Sequence, residues 1–88
     1  MNPPSRELPE SVYSNIDHVY DDSVVAELEK GDCFARHSAW DYNGSVWFDV
    51  ATATWYEDIW RYQAKVEQFT ADTVMGVIQQ AIDEYGGR

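Results

Sequence analysis

An α+β fold is predicted for this chain, a short antiparallel sheet with one helix laid across it. Three observations predict it. Residues 33–52 are dense in aromatic and β-branched side chains around an Asn43-Gly44 pair. Residues 56–68 alternate polar and apolar side chains, and residues 71–85 carry an apolar stripe at helical spacing.

Taken in order, residues 1–10 hold Pro3, Pro4 and Pro9 among polar residues. They read as a flexible tail, which leaves 11–88 as a single compact domain. Val12, Ile16, Val19 and Tyr20 fall at i, i+4, i+7 and i+8 and predict a short amphipathic helix. A second short helical turn, capped by Asp22 or Ser23, uses Val24, Val25 and Leu28 and stops at Gly31.

Asn43-Gly44 suits a two-residue type I′ turn, whose central residues both need positive φ. It predicts a β-hairpin over 33–52 with Trp40 facing Trp47, Ser38 facing Asp49 and Ala39 facing Phe48. Cys33, Ala35, Ala39, Val46, Phe48 and Val50 then form the core face. Phe34, Arg36, Trp40, Tyr42, Trp47 and Asp49 form a more exposed, aromatic one.

Residues 55–68 carry two patterns. As a strand, Trp60, Tyr62, Ala64 and Val66 alternate with Arg61, Gln63, Lys65 and Glu67. As a helix, Trp55, Ile59, Tyr62, Val66 and Phe69 are spaced 4-3-4-3, behind a capping box from Thr54 to Glu57. The β-branched and aromatic content favours a third strand over 56–68. In the last element, Val74, Val77, Ile78, Ala81, Ile82 and Tyr85 mark one helix face, with Thr70 as N-cap, Phe69 stapled on Val74 and Gly86 closing the end. Gly76 inside the helix implies close approach to the sheet.

The 88 residues hold 16 acids and 6 bases, a formal net charge of −10. Such a surface repels phosphates and anionic lipid, so neither direct nucleic-acid nor membrane binding is expected, whereas a basic protein surface is attracted. Cys33 is the only cysteine, so no internal disulfide forms, and the expected setting is cytoplasmic. Met1–Glu10 has no signal-peptide pattern, and no apolar run reaches membrane-spanning length.

No catalytic constellation is read. Asp17, His18, Asp21 and Asp22 match neither an EF-hand nor a zinc spacing, so no metal is expected. Cys33 and His37 share a face but stand about 13 Å apart along a strand, beyond a nucleophile–base contact. Glu57 and Asp58 are adjacent and point to opposite faces, which suits a loop or edge rather than acid–base work. The chain is therefore expected to bind, without a cofactor, rather than to catalyse. Its candidate contact residues are the acids Asp17, Asp21, Asp22, Glu27 and Glu29 and the aromatics Trp40, Tyr42 and Trp47.

The segments Asp41–Phe48, Glu57–Tyr62, Thr70–Thr73 and Asp83–Gly86 resemble a pattern in small acidic proteins of actinobacterial phages, over about residues 40–86. That resemblance implies a phage setting and no activity. In size and charge the chain is also similar to small phage inhibitors of host defence, including anti-CRISPR proteins, a likeness that assigns no residue. The expected function is a small acidic protein-binding module. It would be a phage-type inhibitor or adaptor acting on a basic, nucleic-acid-handling host protein, with the acidic surface imitating nucleic-acid phosphates. The alternative is an assembly subunit that forms homo-oligomers through the aromatic sheet face.

Overall fold

The computed structural model describes residues 3–8 and 20–86. The element order is α1 (Asp22–Leu28), β1 (Phe34–Ala39), β2 (Tyr42–Asp49), β3 (Thr54–Arg61), β4 (Ala64–Ala71) and α2 (Val74–Tyr85). The four strands form one antiparallel sheet in the order β1-β2-β3-β4, each paired with its neighbour in sequence. The α+β class is as predicted. The amphipathic pattern Val12–Val19 and Asp17 lie outside the described residues.

Period-two alternation builds the sheet. Ala35, His37 and Ala39 of β1 are buried, and Phe34, Arg36 and Ser38 turn to the other face. The buried set continues across the sheet through Val46, Trp55 and Ile59. On this inner face lie both helices. The α1 residues Val24 and Leu28 pack with Leu8, Cys33, Ala35, Val46 and Trp55, and Val77 and Ile78 of α2 join them. A second, smaller cluster gathers Ala39, Ile59, Ala81 and Tyr85 under the C-terminal end of α2. Each Val, Leu or Ile so covered contributes about 1.5–3 kcal/mol, and each Ala less.

The predicted hairpin register is corrected. Phe34 pairs with Trp47 and Ala39 with Tyr42, so Trp40 and Asp41 make the turn and Trp40 does not face Trp47. Trp40 takes φ 59, an uncommon conformation for a bulky side chain. Asn43 and Gly44 lie inside β2, where Gly44 pairs with His37 on one side and Ile59 on the other. A Cβ on Gly44 would lie 2.5 Å from His37 Nε2 and closer still to His37 Cε1 and Glu57 Oε1. Glycine is used there for space.

The segment expected as one strand over 56–68 is two. β3 and β4 are joined by Tyr62-Gln63, with Tyr62 at φ 59 and an irregularity in register between Ile59 and Trp60. The strand reading over the helix is correct, but neither pattern marks the turn. The C-terminal helix begins at Val74 rather than 71. Thr73, not Thr70, is its N-cap, with Oγ1 accepting from Gly76 N at 2.9 Å. Thr70 and Phe69 belong to β4, and the Thr70 carbonyl accepts from Gln80 Nε2 at 2.7 Å.

Residues 6–8, placed by composition in the tail, are docked on the sheet edge. Phe34 N donates to Arg6 O and Leu8 N donates to Phe34 O, both at 2.9 Å, and Leu8 is buried. The short helix α1 forms as expected from Val24, Val25 and Leu28, but Asp21 rather than Asp22 or Ser23 is its N-cap, and it ends at Leu28, before Gly31. No helix among the described residues is long and apolar enough to cross a membrane.

Candidate functional site

Two sets of polar side chains are built into the sheet, one on each face, and both centre on the adjacent acids of β3. Period two sends Glu57 inward and Asp58 outward, as expected of neighbours on a strand. Neither lies in a loop or at an edge, and both are fully buried.

On the outer face Asp58 is saturated by donors. Its Oδ2 accepts from Trp47 Nε1 at 2.9 Å and its Oδ1 from Gln68 Nε2 at 2.7 Å, with Lys65 Nζ at 3.9 Å. Trp47 stacks flat on Tyr56, with ring centroids 4.2 Å apart. Trp60 Nε1 donates to Ser45 Oγ at 3.1 Å, which fixes a second indole on the same face. Along this face runs a groove of about 460 Å³ whose walls include Phe34, Arg36, Trp60 and Tyr62, with Pro3 and Pro4 along one side. Its lining is mixed aromatic and polar, and its carboxylate is already engaged.

On the inner face His37 Nε2 and Glu57 Oε1 stand 2.8 Å apart with both side chains out of solvent. Burial pulls the His37 pKa down, but the hydrogen bond and charge of Glu57 and the Ser38 carbonyl outweigh it, and the net shift is upward. Burial raises Glu57, against the opposing hydrogen bond and charge of His37. Neither side chain is exposed, and the pair sits between the two apolar clusters of the inner face.

The sequence-derived contact residues are dispersed. Asp21, Asp22 and Glu29 are exposed around α1. Glu27 is half-buried and accepts from Lys30 Nζ at 3.1 Å. Nearby, Arg6 donates to Asp32 at 3.0 Å and holds that carboxyl below its ordinary range.

The aromatics form no single patch. Trp40 is 40 % exposed at the β1–β2 turn. Tyr42 faces inward, edge-on to Tyr85 at 4.9 Å, with the Arg61 guanidinium 5.9 Å from its ring centroid. Trp47 is buried on the opposite face. Among the described residues the exposed aromatic positions are instead Trp40 and Tyr62, at the β1–β2 and β3–β4 turns. Cys33 is buried, its thiol pushed up by burial, and its Sγ lies 3.6 Å from Glu27 O. Among the described residues no group of three or more His, Cys, Asp or Glu could hold a metal ion.

Sequence reasoning missed His37, Glu57, Asp58, Trp60 and Tyr62. One signal pointed to the acids: Glu57-Asp58 sits between Tyr56 and Ile59 in a strand-like run, where at least one acid must face a covered side of the sheet. No protein-family model, curated protein or solved structure matches the chain.

Proposed function

We propose that the protein is a small acidic protein-binding module that engages a basic surface on a nucleic-acid-handling protein, in the manner of a phage-type inhibitor or adaptor. The observation that carries this reading is the placement of the acids. Asp49, Glu57 and Asp58 are buried in the fold, whereas Asp21, Asp22 and Glu29 are presented on and beside α1 in a chain of net charge −10. Carboxylates arrayed on a short helix present negative charge as a nucleic-acid backbone does, which supports mimicry of phosphates as in anti-CRISPR-like proteins. Charge of one sign raises the rate of encounter with an oppositely charged partner. Binding energy then comes from aromatic anchors, for which the exposed Trp40 and the groove residues Trp60 and Tyr62 are placed. Catalysis is not part of this reading, and a reducing, cytoplasmic setting agrees with a lone buried thiol.

The test is capture from host lysate on immobilised protein at low and high salt, followed by affinity measurement on the captured partner. Changing Asp21, Asp22, Glu27 and Glu29 together to Lys should abolish binding to a basic partner, while circular dichroism confirms the fold. Undiminished affinity in that variant would refute the acidic-surface reading.

A further inference from the structure

The inner face is divided by a polar layer. His37 lies between Ala35 and Ala39 on β1, and Glu57 between Trp55 and Ile59 on β3. Ala35 and Trp55 belong to one apolar cluster, Ala39 and Ile59 to the other. The strand between them, β2, contributes Gly44 at this level, and only the missing Cβ lets the two side chains meet over it.

We infer that His37 and Glu57 are a proton-sharing latch: a single proton held between Nε2 and Oε1 ties β1 to β3 across Gly44, and its loss loosens the β1 edge of the sheet.

The hydrogen bonds define the proton count. His37 Nδ1 lies 3.2 Å from the Ser38 carbonyl, which only accepts, so Nδ1 carries a hydrogen. One further proton occupies the Nε2–Oε1 contact, giving an imidazolium–carboxylate or an imidazole–carboxylic acid pair, neutral in sum either way. Removing that proton leaves a carboxylate against an imidazole lone pair. Its second oxygen, Oε2, is buried without a hydrogen-bond partner among the described residues. An isolated buried carboxylate is strongly disfavoured.

The surrounding charges act in the same sense. Asp58 on the opposite face raises Glu57 further. On the inner face β4 offers Glu67, which accepts from Tyr85 OH of α2 at 3.3 Å. Arg61 of β3 is held over Tyr42 of β2, and Cys33 precedes β1. On α1, Glu27 is paired with Lys30.

The folded pair holds its shared proton more tightly than a free imidazole does, so its contribution is present below the ordinary His value of 6.5 and is lost as pH rises past that value and through the raised folded pKa. The folding equilibrium constant drops by up to about tenfold per pH unit for each proton released. β1 is the strand to loosen, because it is an edge strand bound otherwise by β2 and the residue 6–8 segment.

The test follows the wild-type protein from pH 5 to 9 by histidine ring nitrogen NMR, urea midpoint and amide protection factors. The expected result is a His37 titration above 6.5, in step with a falling urea midpoint, and loss of protection in Phe34–Ala39 before Thr54–Arg61. Glu57→Gln keeps the shape and a donor to Nε2 but removes the acid, so its midpoint should fall less steeply with pH. An unchanged slope in Glu57→Gln overturns the latch, as does a His37 titration at its ordinary value with β1 and β3 losing protection together. If Glu57→Gln does not fold, the wild-type titration and exchange order decide alone.

Discussion

Gly44→Ala adds one methyl group at the centre of the sheet, and its cost follows from what surrounds it. The new Cβ would sit 2.5 Å from His37 Nε2 and nearer to His37 Cε1 and Glu57 Oε1. Real Cβ contacts are essentially never closer than 3.0 Å, and ordinary ones lie at 3.4–4 Å. None of these atoms is the free end of a flexible chain. The imidazole is held at both nitrogens, and Glu57 is fully buried between two apolar clusters. Overpacking of a rigid core costs about 1–3 kcal/mol. Stretching or breaking the buried His37–Glu57 contact adds about 1–3 kcal/mol for the polar group left unpaired. The expected destabilisation is about 3–5 kcal/mol. The whole chain, at about 0.05–0.15 kcal/mol per residue, is worth only about 4–13 kcal/mol, so the variant should be marginal. Replacing an exposed turn glycine at positive φ would cost about 1–2 kcal/mol instead. Urea denaturation followed by tryptophan fluorescence measures the difference. A double-mutant cycle then tests the cause, since in a His37→Ala background the methyl group has room and its cost should shrink by at least about 1 kcal/mol. A loss below about 1 kcal/mol for Gly44→Ala alone, or additive behaviour in the cycle, would refute the steric argument.

Asp58→Asn keeps one acceptor oxygen but turns an amide NH₂ toward a donor, Trp47 Nε1 or Gln68 Nε2. The expected loss is about 1–3 kcal/mol, read as a melting temperature lower by about 5–20 °C; a change under about 2 °C would contradict it. Thr73→Ala should cost about 1 kcal/mol by removing the cap on α2, while Thr70→Ala, in β4, should cost under about 0.5 kcal/mol. The reverse order in a urea titration would show the cap to be misplaced.

The helices were the legible part of the fold. Val77, Ile78, Ala81 and Tyr85 announce α2 because a buried helix face needs only local spacing, and Val24 with Leu28 does the same for α1. The sheet was legible as strand-forming sequence but not as a register. Asn43-Gly44 has the chemistry of a turn, yet its glycine answers to His37 and Glu57, seven and thirteen residues away from it. The actual turns, Trp40-Asp41 and Tyr62-Gln63, carry bulky residues at positive φ and no turn signature. Period two could place Glu57 and Asp58 on opposite faces, but not tell that both faces are covered. Their partners, His37, Trp47 and Gln68, come from three other strands. The acids of α1 were legible as charge, and the groove, assembled from four separate stretches of chain, was not.

The strand order β1-β2-β3-β4 bears on how the chain finds its structure. Each strand pairs with the one just before it, across turns of two residues at Trp40-Asp41 and Tyr62-Gln63 and a loop of four between Asp49 and Thr54. Little loop-closure entropy is lost at each step, and topologies dominated by such local pairing fold faster than sheets built from distant segments. Two hairpins can form independently and then zip along β2 and β3. The exception is the bridge from Glu7 to Phe34, which closes a longer loop than any strand-to-strand turn of the sheet. The β1 edge, which alone takes up that bridge, therefore carries a loop-closure cost that the β3–β4 hairpin does not.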